Sequence, residues 1–134
     1  MSSFPLTIVT PDGLQFNGEA EKLVVRTTHG DMAILAKHIN CVVPLGMGRA
    51  IVEAGGQRWY AACIGGMLSM VDGKATLVPT TFEWAESIDE ARAQLSQQRA
   101  EKVLRDNNAS ETDLKLAQAR LHRALVRKSV ASMK

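Results

Sequence analysis

The sequence predicts an α+β protein, an N-terminal antiparallel β-sandwich over residues 1–86 followed by a C-terminal two-helix antiparallel hairpin over residues 87–134. Three observations place the division near Glu86-Ser87. All ten glycines lie at or before Gly73, the last of four prolines is Pro79, and all six aromatic residues precede residue 85. Val, Ile and Thr supply 20 of the first 86 residues and 5 of the last 48. Beyond Glu86 the chain turns to Ala, Leu, Gln, Glu, Lys and Arg, the residues that lose least on entering a helix.

Within the first part, short apolar runs alternate with turn chemistry. Phe4–Thr10 leads into Pro11-Asp12-Gly13, and Glu21–Thr28 into His29-Gly30-Asp31. Arg49–Ala54 and Gln57–Cys63 flank Gly55-Gly56, and Met67–Met70 and Lys74–Thr80 flank Asp72-Gly73. Gly-Gly and Asp-Gly supply the positive φ angles of tight hairpin turns. Strands at such intervals, with no helical period between them, fit a sandwich or barrel and not alternating βαβ units. Gly65-Gly66, inside a β pattern, reads as a bulge or tight bend.

The second part reads as two helices. Ser87-Ile88-Asp89-Glu90 has the form of a capping box, in which the serine hydroxyl accepts from an early N–H and Glu90 reaches back. The first helix is expected to run to about Arg105 and to break at Asp106-Asn107-Asn108. Ser110-Glu111-Thr112-Asp113 then starts a second helix reaching about Ala131, and so short a break favours an antiparallel hairpin. At 100° per residue, Ile88, Ala91, Leu95 and Val103 share one side of the first helix, and Leu114, Ala117, Leu121 and Leu125 one side of the second. The stripes are narrow, so the hairpin is expected to depend on packing, and its detachment is physically plausible.

Charge divides at the same place. Residues 1–86 carry 6 basic and 8 acidic side chains, whereas residues 87–134 carry 10 and 6, so a formal charge of +2 conceals a mildly acidic body with a basic tail. This is too balanced for nucleic-acid binding by bulk electrostatics, and points the tail towards an anionic partner. Arg92 and Arg99 are seven apart on the first helix. Arg120, Arg123 and Arg127 line the side of the second helix opposite its leucines. If the hairpin closes, guanidinium groups from both helices can converge on one anion, since their fork of N–H donors suits phosphate oxygens. The plainer alternative is a solvated basic face with buried stems.

Other chemistry is poorly supported. The chain has no GxxxxGK[ST] loop and no GxGxxG after a strand. His29, His38 and His122 are too scattered for a zinc motif, and no Ser or Cys nucleophile with a matching base stands out, so a catalytic role is not expected. Cys41 and Cys63 lack metal or redox spacing and are expected to be two buried thiols in a reducing setting. No apolar run approaches a membrane span, and Met1–Pro5 has no signal-peptide character.

Several segments in order carry a family resemblance. Leu6-Thr7-Ile8-Val9-Thr10-Pro11-Asp12-Gly13, Gly30 to His38, Gly65-Gly66-Met67-Leu68, Ile88-Asp89-Glu90-Ala91-Arg92-Ala93 and a basic terminal helix ending Ser129–Lys134 together resemble the epsilon subunits of bacterial F-type ATP synthase across essentially the whole chain. Two positions depart from that pattern in the Gly30–His38 segment: Ala33 replaces a glycine and Ala36 a proline.

The resemblance implies a central-stalk rotor subunit, itself non-catalytic, that couples c-ring rotation to the catalytic head. The sandwich would meet the gamma subunit and the c-ring, with the loop from His29 to His38 facing the ring and Asp31 and His38 as contacts. The hairpin would be regulatory, folding against the sandwich or extending into the head to block ATP hydrolysis. Arg120, Arg123, Arg127 and Lys128 would then meet acidic segments of the beta subunits. No cofactor is required, but the family's I/L-D-x-x-R-A motif implies a regulatory ATP site between sandwich and hairpin, made of Glu83, Ile88, Asp89, Arg92, Ala93, Arg99, Arg123 and Arg127. The implied location is peripheral, on the cytoplasmic face of a bacterial plasma membrane through the complex, with no nucleic-acid partner. Two other readings remain open: a free-standing nucleotide-responsive adaptor using the same arginines, and a β-sandwich enzyme with a helical extension.

Overall fold

A computed structural model describes residues 2–133. The chain separates into two compact units, one ending at Trp84 and one beginning at Ala85.

The first unit contains ten strands: β1 (Phe4–Thr10), β2 (Gly13–Ala20), β3 (Lys22–Thr27), β4 (Gly30–Ile34), β5 (Cys41–Pro44), β6 (Met47–Ala54), β7 (Gln57–Ile64), β8 (Met67–Val71), β9 (Lys74–Val78) and β10 (Thr81–Trp84). They form two five-stranded sheets, in the orders β2-β1-β9-β8-β5 and β10-β7-β6-β3-β4. Strands β1, β3, β6, β8 and β9 alternate one face inward, as the period of two requires. From the first sheet Leu6, Ile8, Leu68, Met70 and Leu77 are fully buried, and Leu23, Val25, Ile34 and Val52 from the second meet them in one core. Pairing is antiparallel except between β1 and β9, which run parallel with Leu6 opposite Ala75 and Ile8 opposite Leu77. Trp84 closes one end, packing edge-on to Phe82 and Phe16 with ring centroids 4.8 and 6.4 Å apart.

The turn chemistry acts as the sequence indicates. Gly55 and Gly56, and Asp72 and Gly73, all have positive φ in the two-residue turns of β6–β7 and β8–β9. Gly66 has a stricter duty. At φ +93° it passes so close to the next chain segment that an added Cβ would overlap the Val78 carbonyl oxygen and lie 2.6 Å from Pro79 Cα.

In the second unit a 3-10 turn over Ala85–Ser87 precedes α1 (Glu90–Leu104) and α2 (Glu111–Ala131). The expected capping box at Ser87 and Glu90 does not form. Ser87 ends the 3-10 turn, and Asp89 is the N-cap, its carboxylate accepting from the Arg92 N–H at 3.0 Å. An aspartate at the N-cap satisfies one of the helix's free N–H groups without a serine. The reciprocal box lies instead at α2, where Asp113 N–H donates to the Ser110 hydroxyl and Ser110 N–H to the Asp113 carboxylate.

The expected apolar stripes also need correction. The buried helical residues are Ala93 and Ala100 on α1 and Ala117, Ala124, Val130 and Ala131 on α2. Leu95 and Leu125, placed in the stripes by periodicity, are 45% and 44% exposed. Alanines seven residues apart, 93/100 and 117/124/131, form a narrow seam on each helix, with larger side chains displaced to its edges. Lys128 Nζ donates to Gln97 Oε1 at 2.7 Å, tying the middle of α1 to the last turn of α2.

Candidate functional site: an arginine-lined cleft in the hairpin

A cleft of about 590 Å³ runs along the two helices of the hairpin. Its lining includes the seam alanines Ala100, Ala117 and Ala124. Arg99 enters from α1, and Arg120, Arg123 and Arg127 from successive turns of α2. The i, i+3, i+7 spacing puts these three on one helix face, as the sequence indicates. Arg99, Arg120 and Arg123 make no hydrogen bond or ion pair among the described residues.

The cleft is electrostatically polar along its length. Asp106 and Asp113 line the end nearest the interhelical turn, but their carboxylates accept from the N–H groups of Asn108 at 2.9 Å and Ser110 at 3.3 Å. The remainder of the lining carries guanidinium groups. Side-chain forks converging in a partly enclosed space hold a multivalent oxyanion better than a single surface cation does.

The other candidate nucleotide residues are distributed differently. Ile88, Asp89, Arg92 and Ala93 lie around the start of α1 and do not line this cleft. Ile88 is buried, Ala93 belongs to the seam, and Asp89 serves as the cap. Glu83 is on β10 of the sandwich unit, opposite Ala62. Lys128, expected among the beta-subunit contacts, is engaged with Gln97. Arg120, expected with it, lies in the cleft beside Arg123.

On the sandwich, Asp31 stands opposite Arg26 in the β3–β4 register, and its carboxylate accepts from Arg26 Nε at 3.0 Å. Nδ1 of His38 donates to the Ile39 carbonyl at 2.9 Å and lies 4.0 Å from Cys41 Sγ. Cys41 is half-buried, contrary to the expectation of two buried thiols, because β5 is an edge strand. Cys63 is buried, and burial pushes its thiol up to about 12.

A surface feature that sequence reading missed crosses the outward face of the first sheet. Leu14 is opposite Val9 on β2–β1, and Val78, Met67 and Pro44 are opposite one another on β9, β8 and β5. The β1–β9 register brings Val9 and Val78 next in line. Leu14, Val78 and Met67 are 60%, 46% and 42% exposed, so an apolar belt runs across five strands. Met67–Met70 and Lys74–Thr80 are legible as apolar runs, but the belt exists only through cross-strand register.

Fold and site together define a class: a two-module protein in which a β-sandwich precedes a helical hairpin that gathers cations around a cleft. Residues 3–85 match the family model for the ATP synthase delta/epsilon chain β-sandwich domain, and residues 86–132 the model for its long α-helix domain. The chain is 39% identical to an ATP synthase epsilon chain of Bacillus cytotoxicus over 100% of both chains. It is 36% identical to that of Caldicellulosiruptor bescii over 98% of this chain and 95% of the other. The fold is similar to a chain in a structure of the Euglena gracilis mitochondrial ATP synthase, with TM-score 0.85, 20% identity, and coverage of 100% of this chain and 83% of that one. This chain belongs to the ATP synthase epsilon chain family. No helix among the described residues is long and apolar enough to cross a membrane.

Proposed function

We propose that this chain is a non-catalytic rotor subunit in the central stalk of a bacterial proton-translocating ATP synthase, peripheral to the cytoplasmic face of the plasma membrane. The observation that carries this reading is the two-domain family match in tandem, together with relatives matched from end to end. In this role the sandwich docks on the gamma subunit, for which the apolar belt through Val78 and Met67 offers an uncharged surface. The Gly30–His38 segment, with Asp31 and His38, faces the c-ring. A rigid two-sheet body then transmits torque between ring and head.

The hairpin is the regulatory part. Closed, its cleft and the start of α1 hold ATP: Arg99, Arg123 and Arg127 neutralise phosphate charge, while the Ile88-Asp89-x-x-Arg92-Ala93 segment receives the base and ribose. Opened, the same arginines, with Arg120 and Lys128, meet acidic segments of the beta subunits and restrain ATP hydrolysis. ATP shifts the equilibrium towards the closed state by its differential affinity for that state.

Two experiments test the two levels. Expressed in a bacterium whose own epsilon gene is deleted, the chain is expected to copurify with gamma and the c-ring and to restore ATP-driven proton pumping. A monomer that leaves the rotor uncoupled sinks the stalk assignment and favours a free-standing adaptor. For regulation, calorimetric titration of the isolated chain with ATP should show saturable binding weakened by Arg92→Ala and Arg123→Ala. Absence of heat at millimolar ATP, with the chain folded, ends the nucleotide reading.

A further inference from the structure

The Arg26–Asp31 pair on the sandwich deepens the ring-facing reading of the Gly30–His38 segment, on which its role rests. Asp31 is the second residue of β4, an edge strand. The turn before it is pinned by Thr27, whose hydroxyl donates to the Gly30 carbonyl at 2.7 Å and accepts from the His29 N–H at 3.0 Å. The Asp31 carboxylate is held from the neighbouring strand, where Arg26 Nε donates to it at 3.0 Å. Backbone and side chain of Asp31 are thus each fixed by a separate residue of β3.

Arg26 is itself seated by an irregularity of the backbone. The pairing of β3 runs from Val24 opposite Ile51 to Thr27 opposite Leu45, so three steps on β3 meet six on the facing chain. The bulge so formed contains Gly46 and Gly48, and bulges re-aim the side chains beside them. The Arg26 stem runs over both glycines. A Cβ on Gly48 would lie 2.5 Å from Arg26 Cβ and 2.9 Å from its Cγ, and one on Gly46 3.5 Å from Cγ. Glycine inside a strand weakens it and marks a close approach of this kind. The ion pair does little to offset that loss, because its side chains are 48% and 43% exposed and solvent screens their attraction. Folding stability therefore does not account for the seat, whereas presentation of the pair does.

The chemistry of the pair selects its partner. A guanidinium has several N–H donors and a carboxylate several acceptor sites, so one shared bond leaves both ends able to bind outward. The pair presents a donor edge beside an acceptor edge and carries no net charge. A lone cation or a lone anion on a partner is attracted by one half and repelled by the other. Adjacent acidic and basic side chains meet both halves at once, and two charge-assisted bonds fix the direction of docking. We propose that Arg26 is the positioning residue for Asp31, and that the oriented Arg26–Asp31 pair, not Asp31 alone, docks a polar loop of the c-ring that carries adjacent acidic and basic side chains.

The test measures the affinity of the full chain for the gamma subunit of its own synthase, alone and as the gamma–c-ring rotor in detergent. The ratio of the two affinities reports the ring contact. Arg26→Gln and the double variant Arg26→Asp with Asp31→Arg are compared with the parent, and urea unfolding checks that both stay folded. The double variant keeps an ion pair within the chain but reverses what that pair presents to the ring. The parent is expected to bind the rotor more tightly than gamma alone. Both variants should lose about tenfold of that gain, the loss of one charge-assisted contact, with affinity for gamma alone unchanged. No gain from the ring in the parent overturns the ring-facing reading and the role of Arg26 together. A gain that survives Arg26→Gln overturns the role of Arg26 and leaves that reading standing on Asp31. Full binding by the double variant, or equal weakening towards gamma alone, makes the pair a structural brace and likewise overturns the proposal.

Discussion

Lys128 donates from its ammonium to the side-chain carbonyl of Gln97 at 2.7 Å, a polar tie between the two helices. The seam beneath it is alanine, which buries little area per residue, so a charge-assisted bond of this kind contributes appreciably to hairpin closure. The bond is partly buried and keeps more of its strength than an exposed ion pair does. Gln97→Ala is expected to weaken hairpin closure by about 1 kcal/mol. Hydrogen exchange should report this as faster exchange of α2 amides with the strands unaffected. A double-mutant cycle with Lys128→Ala should show strong coupling; additive effects would mean that the contact contributes nothing to closure.

The alanine seam makes its own prediction. Ala117 is 2% exposed and begins the line that continues through Ala124 and Ala131. A leucine there has no space while the helices remain in contact, and overpacking of this kind costs about 1–3 kcal/mol. Ala117→Leu is expected to spread the helices and lower the midpoint of hairpin melting, followed by helical circular dichroism. Leu116→Ala, one residue away and half exposed, should leave that midpoint nearly unchanged. Equal effects at both positions would show that the seam is not what closes the hairpin.

These two residues also show where sequence reading reaches its limit. The division into sandwich and hairpin was legible because glycines, prolines, aromatics and β-branched residues end together near residue 86. Turns at Gly55-Gly56 and Asp72-Gly73 were legible because their geometry is local. The strands β2, β4, β5 and β10 were not identified as separate elements: β2, GLQFNGEA, has no regular alternation, and β5 and β10 are only four residues long. In the helices, periodicity gave weight to leucine, whereas the close approach of two backbones selected alanine. The arginine face of α2 was readable from spacing, but the alignment of Arg99 with it depended on the hairpin register. Family resemblance implies Asp89 as a ligand, whereas in the structure its carboxylate makes the capping bond that the Ser87-x-x-Glu90 pattern gives to Ser87.

Gly66 combines two penalties that sequence alone cannot separate. Its φ of +93° disfavours any L side chain, and an added Cβ would strike the backbone at Val78 and Pro79, which carry no flexible atoms to yield. Gly66→Ala is therefore expected to destabilise the sandwich by more than the roughly 1–3 kcal/mol typical of a strained backbone position. Gly55→Ala, at positive φ but in open space, should cost about 1 kcal/mol. Urea unfolding of the sandwich, followed by tryptophan fluorescence, distinguishes the two. A Gly66→Ala variant no less stable than Gly55→Ala would contradict the close approach at the β7–β8 bend.

Cys63 provides a pH prediction with a definite sign. The thiol is buried in the sandwich core, and desolvation of the thiolate pushes it up to about 12 from an ordinary value of 9.0. Below pH 9 the group is protonated in both folded and unfolded chains, so its contribution to stability is constant there. Above pH 9 the unfolded chain loses the proton while the folded chain keeps it, and the unfolded state then binds fewer protons. Stability must fall as pH rises, progressively between about 9 and 12, by a total on the order of a few kcal/mol. Cys63→Ala should flatten this alkaline decline in urea midpoints measured from pH 8 to 11, because no ionisable group remains at the site. At pH 8 the native chain should also show one fast-reacting thiol, the half-buried Cys41, with Cys63 reacting only on unfolding. A Cys63→Ala variant with the same alkaline slope as the parent would mean that the decline comes from other groups.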